Sequence, residues 1–371
     1  MKIGINVDKL SRTNKRGVSV YIYQILKELS EIDNKNDYIL YSRRDIGDKP
    51  FLSNPRFSLS LVKSNFGLLY WTYFKLPKQA IEDKVDIFFS PAQNYPFIFM
   101  KPYGIKTVTS VLDIAFRIFP KHFRAGDKIG LDINTKIAVR RSDKIIAISE
   151  STKRDIIKYY KTDDGKIDVV YLASRMGEKC PKLCEIDVHN ALNIKKSYIL
   201  FVGAIQPRKN IIKLVDAFEI CKDRNSDIGL VICGERGWLY QEILARISRS
   251  RYSKDIFVTG GVSEKELKSI YCKALMFALP SLYEGFGIPV LEAMSLGVPV
   301  IVPNNSSFPE LVGDAGLYVD EYNAEDIADK ISMIMSDPGL GTELAKKGKL
   351  KAREFSWKIT AKKHLEIFES I

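Results

Sequence analysis

Residues 280–300 read Pro280-Ser-Leu-Tyr-Glu284-Gly-Phe-Gly287-Ile-Pro289-Val-Leu-Glu292-Ala-Met-Ser-Leu-Gly297-Val-Pro-Val300, and this stretch decides the fold. The apolar run Met276 to Leu279 predicts a buried strand before it, and Val298 to Val302 predicts another after it. Between them Pro289 takes the place of a first helical turn, where its missing N–H costs nothing, and Gly297 marks the stop. Glycines at a strand-to-helix junction let the backbone approach an anion, and the helix N-terminus adds aligned N–H groups. The loop Glu284, Gly285, Phe286, Gly287 therefore reads as a phosphate site. Two carboxylates bracket it, Glu284 and Glu292, eight positions apart. Carboxylates repel phosphate, so their expected task is to accept hydrogen bonds from hydroxyls on either side of it. A ligand whose hydroxyls flank a diphosphate is a nucleotide-sugar. The competing expectation is a pair of solvated glutamates, which the surrounding glycines and proline disfavour.

The same string resembles the glutamate-x7-glutamate signature of the family-4 retaining glycosyltransferases of GT-B fold. Phe201-Val-Gly203-Ala-Ile-Gln-Pro-Arg208-Lys209-Asn210 and Val258-Thr-Gly260-Gly261-Val262 stand at similar relative spacing, so the resemblance covers nearly all of the C-terminal half. It implies an α/β chain of two Rossmann-like domains facing across a cleft, with the last helix crossing back to the first domain. The N-domain would hold the acceptor and the C-domain the donor.

Composition sets outer bounds. A chain of 371 residues has room for two domains of ordinary size. With 46% hydrophobic and 27% charged residues it reads as globular, and no apolar run reaches the roughly 20 residues that span a bilayer. The start, Met1-Lys-Ile-Gly-Ile-Asn-Val-Asp8, is too short and too strand-like for a signal peptide, which points to the cytoplasm. Five cysteines, an odd and scattered set, are a poor disulfide framework, which fits the same compartment. Cys180 and Cys184 lack the partners that would complete a zinc site. The +12 net charge lies in one half: residues 1–180 hold 32 Lys+Arg against 20 Asp+Glu, and residues 181–371 hold 25 of each. A field of that sign favours an anionic partner, such as acidic lipid, a lipid-linked phosphate or nucleic acid.

Along the chain, a first strand over residues 2–8, a polar loop closed by Gly17 and an amphipathic stretch from Val18 to Leu29 predict the opening of a Rossmann-like half. Relatives often carry a second glycine here, where this chain has Ser19. Further strands are expected at Tyr38–Tyr41, Phe57–Val62, Asp86–Ser90, Lys106–Val111 and Lys144–Ser149, then at Tyr198–Val202, Ile228–Cys233 and Ile256–Val258. Phe66 to Lys78 mixes aromatic, aliphatic and lysine residues, a pattern of either a core-facing helix or one lying at a membrane surface. The segment 175–196 lacks a clear period and is the expected linker between domains 1–174 and 197–354, with 355–371 returning to the first.

The resemblance also assigns roles. Asp113 ends a strand where many relatives carry a His-Asp pair, but Leu112 stands in the place of the histidine. Arg208 and Lys209 would meet the diphosphate and, with Asp113 and Glu284, form the catalytic set. Gly17, Gly203, Gly260, Gly261, Val262, Gly285, Phe286, Gly287 and Glu292 would bind donor. Arg117, Lys121, His122 and Arg124 form a basic patch able to hold an acceptor phosphate. No Asp-x-Asp at a strand end offers a metal site, so neither metal nor cofactor is expected. The forms Glu-Gly-Phe-Gly and Gln-Pro-Arg-Lys-Asn look most like mannosyl- and rhamnosyltransferases of bacterial surface polysaccharides, which implies GDP-mannose as donor and a glycan or lipid-linked glycan as acceptor. Contact with an anionic inner membrane face is compatible with the charge. Two other readings are a non-catalytic nucleotide-sugar-binding subunit, suggested by Leu112, and a nucleic-acid binder, suggested by charge alone.

Overall fold

Tyr198-Ile-Leu-Phe-Val202 is apolar at every position and forms a strand buried along its whole length, as a parallel strand covered on both faces must be. The computed structural model describes residues 1–10, 17–93, 100–123, 125–177, 180, 197–224 and 227–371. They divide into two units, Met1–Pro120 with Arg124–Leu172 and Ser356–Ile371, and Lys121–Phe123 with Ala173–Phe355. Most of the expected linker and Cys184 lie outside the described residues.

The first unit holds seven strands, β1 (Lys2–Asn6), β2 (Asp37–Ser42), β3 (Phe57–Leu61), β4 (Ile87–Ser90), β5 (Lys106–Val111), β6 (Lys144–Ala147) and β7 (Ile167–Val169). Their order is β3-β2-β1-β4-β5-β6-β7 with every pair parallel. The second holds β8 (Tyr198–Val202), β9 (Gly229–Cys233), β10 (Ile256–Gly260), β11 (Met276–Ala278), β12 (Val300–Pro303) and β13 (Gly316–Val319), in the order β10-β9-β8-β11-β12-β13 and again all parallel. In each sheet the order reverses once, at β1/β4 and at β8/β11, and loops leaving the strand ends there diverge to opposite faces. The edge strands β7 and β13 are new relative to the sequence reading. Each is short and only partly buried, so it lacks the apolar run that announces the central strands.

The last helix, Trp357–Glu369, belongs to the first unit and packs on the first helix, Gly17–Ile32. A buried hydrogen-bond chain fixes it. His364 Nδ1 lies 2.7 Å from the Thr360 carbonyl, which can only accept, so Nδ1 carries the proton and Nε2 is the acceptor. The Tyr21 hydroxyl therefore donates to Nε2 at 2.8 Å, and Ser110 Oγ, 2.6 Å away on β5, donates to Tyr21. Phe89 and Phe368 close around the imidazole.

The Phe66–Lys78 stretch is helical with Trp71 and Leu76 buried in the core, as a core-facing helix requires, but it is not one uniform helix. It starts as a helical turn at Leu68–Tyr70, widens to a π turn at Trp71–Lys75 and resumes as a helix at Leu76–Glu82. The wide turn has a local cause: Pro77 has no N–H to return to Tyr73, and the Leu76 N–H bonds the Trp71 carbonyl five residues back. Trp71 is buried and donates its indole N–H to the Val62 carbonyl at 2.6 Å.

Burial holds the His364 imidazole down at about 4, against an ordinary value of 6.5. The unfolded chain then takes up a proton before the folded one does. Stability contributed by neutral His364 is complete above pH 6.5 and is lost as pH falls from there to 4, by roughly 3 kcal/mol. Urea unfolding at stepped pH should show this decline, and His364→Gln should remove most of it; parallel pH curves for the two proteins would contradict the assignment.

Candidate functional site

The residues singled out in the C-terminal half converge where the second sheet reverses its order. β8 and β11 are hydrogen-bonded neighbours, and the loops Gly203–Asn210 and Leu279–Gly287 leave their C-terminal ends. The first loop closes in a tight turn, Pro207–Lys209, capped by Asn210 in the left-handed region at φ 56°. That turn delivers Arg208 and Lys209 beneath the second loop, with the Leu282 N–H bonded to the Arg208 carbonyl at 3.0 Å. Both cations are buried, as is Glu284. Lys209 Nζ lies 2.5 Å from Glu284 Oε1, and Arg208 Nη1 lies 3.3 Å from Oε2 while also donating to the Tyr283 carbonyl. Burial alone would raise the Glu284 carboxyl. The charges of Lys209 and Arg208 outweigh it and bring the group down to about 2.

The loop backbone is held from the next strand. The Glu284 N–H donates to Ser306 Oγ at 3.1 Å, and Ser307 Oγ donates to the carbonyls of Glu284 at 3.1 Å and Phe286 at 2.8 Å. These two serines set the loop's shape. Gly287 opens the helix Ile288–Leu296 at φ 100°, with Leu311 and Phe308 atoms 3.2 and 3.3 Å from where a Cβ would stand. Phe286 turns into the core against Phe355, so only its backbone faces the loop's polar side.

Glu292 sits inside this helix and is almost fully buried. Arg175 Nε donates to its Oε1 at 3.0 Å and the Tyr271 hydroxyl to its Oε2 at 3.1 Å. Here burial prevails over Arg175 and Tyr271, and the carboxyl is raised. Arg175 also lies 3.9 Å from Glu264, which divides its charge. Neither Arg175 nor Tyr271 is legible as a site residue, because they come from the expected linker and from an ordinary amphipathic helix, Glu264–Lys273.

Three strand ends carry glycines side by side. The Gly203 N–H bonds the Cys233 carbonyl at 2.9 Å and the Gly234 N–H bonds the Gly260 carbonyl at 3.1 Å. A Cβ on Gly234 would stand 1.9 Å from the Gly203 carbonyl oxygen, so only glycine fits between β8 and β10. Gly261 faces Glu235, whose Oε1 would be 2.9 Å from a Cβ there, and Val262 leads to the helix cap Ser263.

The remaining predicted residues come from the N-terminal half of the chain. Asp113 follows β5 in the first unit, where its Oδ1 accepts the Ala115 N–H at 3.1 Å and its carbonyl accepts from Gln93 at 2.9 Å. Gly17 begins the first helix at φ 23°. The basic patch is divided. Arg117 pairs with Asp132 at 2.9 Å in the first unit, Lys121 and His122 belong to the second, and Arg124 lies outside the described residues. His122 is held by its carbonyl, which accepts the Trp238 indole N–H at 2.5 Å, while Phe123 packs on the Trp238 ring. Burial, with the Arg208 charge nearby, lowers its imidazole. The cysteine reading needs correction: Cys180 and Cys272 form a disulfide, which odd parity and scattered spacing could not reveal, while Cys221 and Cys233 are buried free thiols.

Residues 15–173 match the family model Glycosyltransferase Family 4, and residues 185–353 match Glycosyl transferases group 1. O-antigen chain mannosyltransferase B of Escherichia coli is 29% identical over 255 residues, covering 68% of this chain and 67% of that protein. The serotype-specific mannosyltransferase WbdA of Escherichia coli is 28% identical over 246 residues, which take in 63% of this chain but only 29% of WbdA. Among solved structures, Anabaena Alr3699/HepE in complex with UDP-glucose shares the fold with a TM-score of 0.79 over the whole of both chains, at 17% identity.

If Arg175 neutralises Glu292, Arg175→Met strands a buried carboxylate and should destabilise the protein by about 3–5 kcal/mol at neutral pH. The loss should shrink in mild acid, where Glu292 takes up a proton. Adding Glu292→Gln should restore most of it in urea unfolding; equal losses in the single and double variants would mean that Arg175 only packs.

Proposed function

We propose that this chain, which belongs to the family-4 glycosyltransferases of GT-B fold, moves a hexosyl group from a nucleotide-sugar to a glycan or lipid-linked glycan acceptor with retention of anomeric configuration. The proposed donor is GDP-mannose. One observation carries the reading: a buried cluster of two cations and one carboxylate, Arg208, Lys209 and Glu284, behind a glycine loop at the order reversal of a parallel sheet. Two positive charges against one negative leave an excess of +1, suited to a diphosphate. The mannosyltransferases among its relatives support mannose as the sugar.

In this reading the diphosphate lies against Arg208, Lys209 and the start of the helix Ile288–Leu296, with no metal ion needed. As the glycosidic bond breaks, charge grows on the leaving phosphate. Cations already fixed in a water-poor site favour that charge more in the transition state than in the ground state. The leaving phosphate helps to deprotonate the acceptor hydroxyl. Among the described residues Glu292 Oε1 and Oε2 each accept one protein hydrogen bond, which leaves each a lone pair for a donor hydroxyl. Leu112 supplies none of the hydrogen bonding of a histidine before Asp113, which favours a binding subunit as the second reading.

A thermal-shift series with GDP-, UDP-, ADP- and dTDP-sugars should show the largest rise with GDP-mannose, since ligand bound only to the native state stabilises it. A different winner would replace the donor, and no shift with any would remove the nucleotide-sugar reading. Lys209→Ala leaves Arg208 to balance Glu284 and should lower kcat about 10²–10³-fold with a smaller change in KM. Donor binding without nucleotide release, with acceptor present, would instead support the binding subunit.

A further inference from the structure

The buried carboxylate and cations of the second unit come from two loops, and a residue on neither loop touches the supports of both. Glu321 lies in the turn that follows the edge strand β13, at the same end of the parallel sheet as the loops after β8, β11 and β12. That turn is held on both sides. The Asp320 N–H donates to Asp326 Oδ2 at 2.7 Å and the Tyr322 N–H to Asp320 Oδ1 at 2.9 Å, while Asn323 caps the helix Ala324–Ser336. Glu321 is therefore carried on a fixed backbone.

Its side chain and its carbonyl act in two directions. Glu321 Oε1 accepts from Asn305 Nδ2 at 2.7 Å, on the loop after β12, and the same Nδ2 reaches the Ser281 carbonyl at 3.4 Å. Both acceptors gather on the NH2 side of the amide, so its oxygen points the other way. There Asn305 Oδ1 accepts from Ser306 Oγ at 2.9 Å. With its one proton given to Asn305, the hydroxyl meets the Glu284 N–H with a lone pair, at 3.1 Å. Ser306 itself stands in the left-handed region at φ 47°, a conformation that a residue with a β-carbon keeps only where its neighbours impose it. The Glu321 carbonyl accepts from Asn210 Nδ2 at 2.7 Å, and Asn210 closes, at φ 56°, the turn that carries Lys209.

A carboxylate can only accept, so Glu321 fixes the direction of every bond in the chain that ends at Glu284. We infer that Glu321 is a positioning residue for the transfer reaction: through Asn305 and Ser306 it sets the backbone of Glu284, and through Asn210 it sets the turn of Lys209. This rests on the diphosphate site proposed above. Charges fixed in advance count most for the ligand that carries most charge. A free nucleoside diphosphate bears more charge on its terminal phosphate than a nucleotide-sugar does, and so resembles the leaving group as the bond breaks. Loss of the brace should therefore weaken the diphosphate more than the donor.

The test uses the full chain and the nucleotide pair that stabilises it most in the thermal-shift series, GDP and GDP-mannose being the pair expected, with dissociation constants from titration calorimetry. Glu321→Ala and Glu321→Gln both remove a negative charge, and only glutamine keeps an acceptor for Asn305. Charge alone would make both variants bind the diphosphate more tightly. Positioning predicts that Glu321→Ala weakens GDP about tenfold and GDP-mannose about threefold or less, while Glu321→Gln rescues both to within about threefold of the native chain. Asn305→Ala cuts the same chain one step nearer to Glu284 and should reproduce the alanine pattern, which keeps the proposal open to refutation if Glu321→Ala does not fold. Thermal midpoints without ligand check folding of each variant. Tighter or unchanged GDP binding by the folded alanine variants, or equal losses with alanine and glutamine at Glu321, would overturn the proposal and leave the donor site standing. A native chain that no nucleotide pair stabilises would remove the donor site and this proposal with it.

Discussion

Glu284 is held as an anion in the interior of the second unit by Lys209 and Arg208, and the rest of the site depends on that three-charge cluster. A lone buried carboxylate would take up a proton and a lone buried lysine would lose one. Here each charge is tolerable because the others are present. The cations come from the loop after β8 and the carboxylate from the loop after β11, so the cluster exists only where those strands lie side by side. Topology is thus the condition for the electrostatics. A parallel sheet without its order reversal at this point would send both loops to one face, with no crevice between them.

The two glutamates of the signature are set to opposite behaviour. Glu284 has two cations and is lowered to about 2. Glu292 shares one arginine with Glu264, meets the Tyr271 hydroxyl at its other oxygen, and is raised by burial. One is a fixed charge and the other sits nearer to neutrality. Divergent environments for paired carboxyls commonly separate their roles. The difference lies in the number and sharing of cationic neighbours, a property of three-dimensional packing that an eight-residue spacing cannot express.

What was legible in sequence follows from which forces act locally. Pro289 and Gly297 bound a helix by backbone chemistry alone, and the helix Ile288–Leu296 lies between them. Tyr198–Val202 and Met276–Ala278 are strands because burial on both faces demands unbroken apolar runs. The edge strands β7 and β13, half exposed, carry no such pattern. Arg208, Lys209, Glu284 and Glu292 could be named because a recognisable motif carried them. Their partners could not: Arg175 is 117 positions from Glu292, and Ser306 and Ser307 resemble any polar turn after a strand. The π turn at Trp71–Lys75 was hidden because its cause, Pro77, lies in the next element.

Glu292 shows how such distant partners are made reliable. Its two hydrogen-bond donors reach it from stretches that do not follow one another in the sheet, Arg175 just after the first unit and Tyr271 near the end of the helix Glu264–Lys273. The disulfide joins these same two stretches, since Cys272 adjoins Tyr271 and Cys180 stands five positions beyond Arg175. Ser174 adds a second tie, its Oγ 3.1 Å from Ser295 Oγ on the helix that bears Glu292. A cross-link between residues 92 positions apart restricts the unfolded chain, an effect of about 2–4 kcal/mol for a typical bridge. It also keeps the two donors near each other before either finds the carboxylate. The buried charge of Glu292 is thus met by groups whose approach is covalently limited, whereas Glu284 relies on neighbouring strands of one sheet. One site uses two physical routes, chain connectivity and sheet order, to bring together the partners of two carboxylates.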